Sequence, residues 1–307
     1  MTPRAARALP FVVMIGAGAA WGATQPLTKV AVSTGYGHFG LVFWQMTVVA
    51  LVLGPLCAVL GKRLPRGRVQ WAFCVLIALI GTILPNSASY RAAVHLPSGV
   101  LSILLSLVPL LAFPVALGLG LENFRWRRFA GLMLGLCAVL LLVAPEASLP
   151  DRAMVWWIPV ALIAAAFYAV EGNVVGRWGT GGLDPVELIF GAALVGSFLS
   201  APLALATGQF IVPPWPLGTP DLALVASAML HGMAYCSYVW LVQRAGPVFA
   251  VQISYFVTLF GVTWAMLFLD ERYTGWIWAA LVLMLVGIAL VLPRRGADTE
   301  TSAAPAQ

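Results

Sequence analysis

Long apolar runs follow one another almost to the end of this chain, and no other feature constrains its fold as strongly. They cover 11–32, 38–60, 71–93, 97–119, 127–144, 155–176, 185–206, 221–243, 248–269 and 275–292. Each is near the ~20 residues a helix needs to cross ~30 Å of hydrocarbon. In a bilayer, backbone N–H and C=O groups must be bonded within the protein, which runs of this length achieve as helices. The expected fold is an all-α integral membrane protein of ten transmembrane helices, with almost no soluble mass. Composition agrees: 61% of residues are hydrophobic and 9% charged, where a soluble domain carries about 25% charged residues.

The formal net charge is +6. In a soluble protein that excess suggests a polyanionic partner, but here it sorts by loop. With the N-terminus in the cytoplasm, Arg4, Arg7, Lys62, Arg63, Arg66, Arg68, Arg125, Arg127, Arg128, Arg177, Arg244, Arg294 and Arg295 fall inside. Only Arg91, Arg152 and Arg272 fall outside, and Lys29 lies within the first run. Basic loops stay cytoplasmic during insertion. Both tails, 1–10 and 293–307, are therefore expected inside, at a cell (inner) membrane. Trp156 and Trp157 stand where an outer aromatic belt would stand. The charge is a topology signal, and no nucleic-acid partner is expected.

Arg4, Arg7 and the small residues from Gly16 to Ala23 have the outline of a signal peptide. Cleavage would leave nine runs and undo the charge pattern, so retention is expected. Cys57, Cys74, Cys137 and Cys236 all sit in apolar runs without a CxxC or a histidine set, as small hydrophobes do. No disulfide, metal or cofactor is expected. Gly54 to Lys62 resembles a phosphate loop, but position 63 is Arg where Walker A needs Ser or Thr. A membrane-embedded enzyme would need a nucleophile or metal constellation, and no GxSxG or HExxH pattern is present. A lipid- or receptor-binding protein would need a soluble sensing surface, yet the longest outer loop, about 207–220, is short and proline-rich.

The chain also repeats itself. SGVLSILLSLVPLLAFPVALGLGLENFRWRRFAG (98–131) pairs with PVFAVQISYFVTLFGVTWAMLFLDERYTGWIWAA (247–280) at a constant offset of 149, which aligns Glu122 with Glu271. Upstream, SASYRAAVHLP (87–97) matches YCSYVWLVQRAG (235–246) at a similar offset. The repeat unit holds five helices, giving 11–144 and 155–292. Five is odd, so the copies lie in opposite orientations, a recurrent plan of secondary transporters. Glu122 and Glu271 read as turn or helix-end contacts, and the GxxxG of Gly131 and Gly135 as a packing surface within the chain.

These features resemble the drug/metabolite transporter superfamily, specifically its EamA-type ten-helix members, over about 11–292. The carriers are AAWGATQPLTK in the first run, then Leu96, Pro97, Pro109 and Glu122, Glu271, and the glycines Gly131, Gly135 and Gly287. The resemblance implies two inverted five-helix bundles, export, and a central cavity lined mainly by spans 3, 4, 8 and 9. The chain departs from the pattern at Gln45, where an Arg is common, and at Thr258, the mate of Pro109.

Polar side chains inside a membrane are costly and tend to face the bundle interior. In span 8, His231, Tyr235 and Tyr238 share one helix face. In span 3, Thr82, Asn86 and Ser89 repeat that spacing, and are their repeat mates. Span 4 adds Ser102 and Ser106; span 9 adds Gln252, Tyr255 and Thr258. For single Ser and Thr residues, interhelical hydrogen bonding is the competing role. Glu171 lies within span 6, either as a proton-coupling carboxyl or as a support of the fold. Lys29 is expected to reach water at the outer end of span 1, and Asp221, Asp270 and Arg272 to be solvated. Hydroxyls, amides, tyrosine faces and one imidazole suit a small neutral or zwitterionic metabolite such as an amino acid, moved by alternating access. The alternatives are a protein that handles lipids, amines or drugs, and a facilitator without proton coupling. The partners expected are a small-molecule substrate and the lipid bilayer; a monomer is compatible with the sequence.

Overall fold

The computed structural model describes residues 3–144, 149–245, 250 and 252–291. The tail 293–307, with Arg294 and Arg295, and part of the start of the paired stretch 247–280 (247–249 and 251) lie outside the described residues. Among those described, every regular element is helical. The first half comprises α1 (Pro3–Ala31), α2 (His38–Val59), α3 (Arg68–His95), α4 (Ser98–Gly118) and α5 (Trp126–Val143). The second comprises α6 (Ile158–Trp178), α7 (Pro185–Ala206), α8 (Thr219–Ala245), α9 (Ile253–Leu269) and α10 (Gly275–Val291).

Helices α1 to α7 each contain a segment long and apolar enough to cross a membrane; α9 and α10 are apolar but only 17 residues each. Large apolar side chains cover the outside of the bundle, Phe198 at 80% and Leu51 at 68% exposed. In water such a surface would aggregate; in hydrocarbon it is solvated. The chain is a multi-pass membrane protein.

Helix α1 packs on α8 and α9, and α6 packs on α3 and α4; α2 pairs with α7, and α5 with α10. Exchanging each helix with the one five places along maps this set of contacts onto itself. Glycine sets the closest approach. A Cβ on Gly131 would stand 2.6 Å from Gly287 O, and one on Gly287 2.8 Å from Gly131 O. The α5 and α10 backbones therefore touch, as small-residue stripes allow in membranes. Gly135 meets Leu110 of α4, so the GxxxG is used within the chain.

Two helices are interrupted where proline removes a donor. Pro85 cannot bond back to Gly81, and α3 passes through a π-helical turn, Leu79–Ile83, just before it. Pro109 follows a break in α4 at Ser106 and Leu107.

The helix ends are tied by charge. Glu271, in the α9–α10 loop, accepts from Ser98 N (2.8 Å), Ser98 Oγ (2.9 Å) and Gly99 N (3.2 Å) at the start of α4. Tyr273 donates to the same carboxylate at 2.6 Å. Burial first, then this bond, holds the Tyr273 phenol above its usual pKa. Glu122 pairs with Arg128 across the α4–α5 turn. Asp184 and Glu187 form a capping box on α7, and Lys62 reaches Asp184 at 2.8 Å.

Lys29 is half-buried, and its ammonium donates to Ala93 O (2.8 Å), Leu96 O (3.0 Å) and Val94 O (3.1 Å) at the end of α3. Free C-terminal carbonyls and the negative end of the helix dipole attract it. Asp221 is buried rather than solvated; it accepts from Gly218 N at 2.9 Å and Tyr36 Oη at 3.1 Å at the start of α8.

Candidate functional site

Five helices bring polar side chains together inside the bundle. Helix α2 supplies Gln45, α3 Asn86 and Tyr90, and α6 Tyr168. Asn86 Nδ2 donates to Gln45 Oε1 at 2.8 Å, and Tyr90 donates to the same oxygen at 2.9 Å. Tyr168 donates to Asn86 Oδ1 at 2.5 Å. Asn86, Gln45 and Tyr90 are buried. Buried amides demand partners in a low-dielectric interior, and this set supplies them to one another.

Glu171 lies one helical turn from Tyr168 on α6 and is buried. Its carboxylate rests on the α3 π-turn: a Cβ on Gly81 would stand 2.3 Å from Glu171 Oε1. Only glycine admits it there. π-turns within helices recur at functional sites. From α8, Tyr235 donates to Glu171 Oε1 at 3.3 Å.

Around Tyr235 the contacts are between rings. Trp21 of α1 stands 5.8 Å from His231, 6.0 Å from Tyr235 and 6.1 Å from Tyr238, centroid to centroid. Its indole N–H donates to His231 Nδ1 at 3.1 Å. An accepting Nδ1 places the imidazole proton on Nε2, so this arrangement holds a neutral ring.

The remaining positions singled out in the sequence divide by environment. Thr82 lies in the π-turn and Ser89 one turn beyond Asn86; both are half-buried, and neither side chain makes a hydrogen bond among the described residues. Ser102, Ser106 and Thr258 bond back to carbonyls of their own helices, at Ser98, Ile103 and Ser254. Ser102 also fills the contact with Gly261 of α9. Gln252 caps α9, and Tyr255 packs against the main core. Trp21, Tyr90 and Tyr168 join the cluster without having been singled out. A signal existed: Trp21 sits in the AAWGATQP stretch, and Tyr168 shares a face with Glu171 at i, i+3.

A cleft of about 220 Å³ between α2 and α8, lined by Val49, Leu53, Gly232 and Met233 among others, opens on the other side of α8. Another, of about 300 Å³, lies beside Lys29 and Leu269. The central cluster offers neutral donors and acceptors, ring faces and one carboxylate.

The sequence model of the EamA-like transporter family matches residues 9–144 and again 155–292. A probable terminal-alkyne amino-acid exporter of Streptantibioticus cattleyicolor (strain ATCC 35852 / DSM 46488 / JCM 4925 / NBRC 14057 / NRRL 8057) is 24% identical over 153 residues. That alignment covers 48% of this chain and 49% of the relative, so the chain spans about half the length of the curated protein it matches. A solved structure described only as a crystal structure of a protein superposes with a TM-score of 0.64 at 20% identity, over 92% of this chain and 96% of the other. At that identity the likeness is one of fold alone.

Proposed function

The chain belongs to the EamA-like transporter family, and from that premise we propose that it is a secondary transporter exporting a small neutral or zwitterionic metabolite, such as an amino acid, by alternating access. The observation that carries this reading is the polar and aromatic cluster of Gln45, Asn86, Tyr168, Glu171, Trp21 and Tyr235. It is contributed by both halves of the chain, where transporters of this plan hold their substrates. Amides and hydroxyls match a polar solute, and the ring faces match its ammonium or side chain. The relative named as an amino-acid exporter supports the substrate class and the direction.

The same reading takes the chain as ten crossings in two inverted five-helix repeats, with both ends in the cytoplasm. The contact pattern that returns to itself under exchange by five supports the repeat. Loop charge supports the orientation. Reporter fusions after residues 66, 152 and 300 are expected to read inside, outside and inside; an outside signal at 300 would remove the even count.

The substrate is tested with purified protein. A melting-shift screen over amino acids, amines, nucleosides and short-chain lipids is expected to single out an amino acid. Labelled counterflow of that amino acid in proteoliposomes should follow. Stabilisation by lipids alone, with no amino-acid counterflow, would replace this reading with one of a lipid-handling protein.

A further inference from the structure

Glu171 is the one carboxylate of the central cluster, and it is poorly satisfied. Its single hydrogen bond among the described residues is the 3.3 Å contact from Tyr235 to Oε1, and Oε2 has none. An O–H···O⁻ bond of good geometry is nearer 2.5–2.7 Å, so the Tyr235 hydroxyl is a loose occupant of that position. No ion pair joins Glu171 to a described lysine or arginine. An acidic side chain in hydrocarbon needs a countercharge, water or a proton. Tyr235 meets Glu171 from α8, and Trp21 and Tyr238 pack around the Tyr235 ring. The three ring centroids lie 6.0 to 6.4 Å apart, with Trp21 nearly perpendicular to Tyr235 at 82°. The neighbouring imidazole is held neutral by the indole bond and does not fill the charge deficit.

A carboxylate beside a cluster of aromatic rings is an arrangement that takes a substituted ammonium ion: rings attract the cation through their quadrupoles, and the carboxylate supplies the full countercharge. We propose that Glu171, with Trp21, Tyr235 and Tyr238, is the subsite for the ammonium group of the transported solute. The inference deepens the transporter reading and rests on it. The guest's N–H groups replace the Tyr235 hydroxyl at Oε1 and occupy the open valence at Oε2. Gly81 sets the depth of the subsite, because any side chain there would push the carboxylate out of its seat.

The test uses purified full-length protein and two probes of the same shape, 3-methylbutan-1-amine and 3-methylbutan-1-ol. The amine is expected to stabilise the parent against melting and the alcohol is not. Glu171→Gln should bind the amine about tenfold to a hundredfold more weakly, the usual loss on removing a charged hydrogen-bond partner. Gly81→Ala keeps the carboxylate but displaces it, and should also weaken amine binding. Tyr238→Ala removes one ring of the subsite and should weaken amine binding as well. Equal stabilisation by amine and alcohol, no response of the parent to the amine, or unchanged amine binding in a well-folded Glu171→Gln protein would each overturn the proposal. Amino-acid counterflow by the parent is read separately. Counterflow without amine recognition leaves the transporter standing and removes the subsite; amine binding without counterflow of any solute does the opposite.

Discussion

Helix α3 with its partner α6, and helix α8 with its partner α1, occupy equivalent places in the two halves, yet they are held by different forces. On the α3 side, Asn86 is bonded to Gln45 and Tyr168 at 2.8 and 2.5 Å. On the α8 side, His231, Tyr235 and Tyr238 meet Trp21 mainly through ring faces. Hydrogen bonds between buried amides fix one geometry. Ring contacts near 6 Å tolerate sliding. The comparison teaches that equal spacing in a repeat does not mean equal bonding: one copy is joined chiefly by side-chain hydrogen bonds, the other chiefly by ring contacts.

The largest effect that could break this comparison comes from Asn86. Asn86→Leu keeps the volume but leaves Tyr168 and Gln45 short of partners, and should cost about 1–3 kcal/mol of stability, read as a lower melting temperature in detergent. Its repeat mate gives the contrast. Tyr235→Phe should melt close to the parent; an equal loss at both positions would erase the distinction. The next effect is smaller. Tyr168→Phe removes the 2.5 Å bond and should cost about 1 kcal/mol, while its volume is unchanged. A Tyr168→Phe protein as stable as Tyr235→Phe would mean that bond length says little about strength here. The smallest effect sharpens the picture of the ring side. Trp21→Phe keeps a ring but loses the N–H bond to His231, and about 0.6 kcal/mol is the average for such bonds in membranes. A double variant with His231→Ala should then show coupling no larger than this; a larger value would make the ring side as rigid as the other.

Much of the architecture is legible in the sequence, because bilayer thickness and backbone satisfaction leave few choices. The run 71–93 becomes α3 at Arg68–His95, and 185–206 becomes α7 at Pro185–Ala206. The packing role of the GxxxG at Gly131 and Gly135 is legible too, but its partner Gly287 is seen only in the fold. What periodicity could not supply is which side chains satisfy one another. Asn86 and Tyr235 look alike as polar residues on helical faces, and only the fold decides that one meets Gln45 and the other Glu171. Glu171 and Tyr235 lie 64 residues apart, and no local pattern links them. The π-turn beneath Glu171 was marked in the sequence only by Pro85. Asp221 sits near a helix end yet is buried, because backbone and side-chain donors there compete with water for its charge.

The clamp of Glu271 on α4 has a consequence for how the protein is made. Ser98 and Glu271 are separated by 173 residues. At roughly 5–20 residues per second of synthesis, the start of α4 is complete about ten to thirty seconds before the carboxylate that will hold it exists. Through that interval the first half sits in the membrane with Ser98 and Gly99 still lacking that acceptor. This tie on the start of α4 thus waits for the α9–α10 loop to emerge.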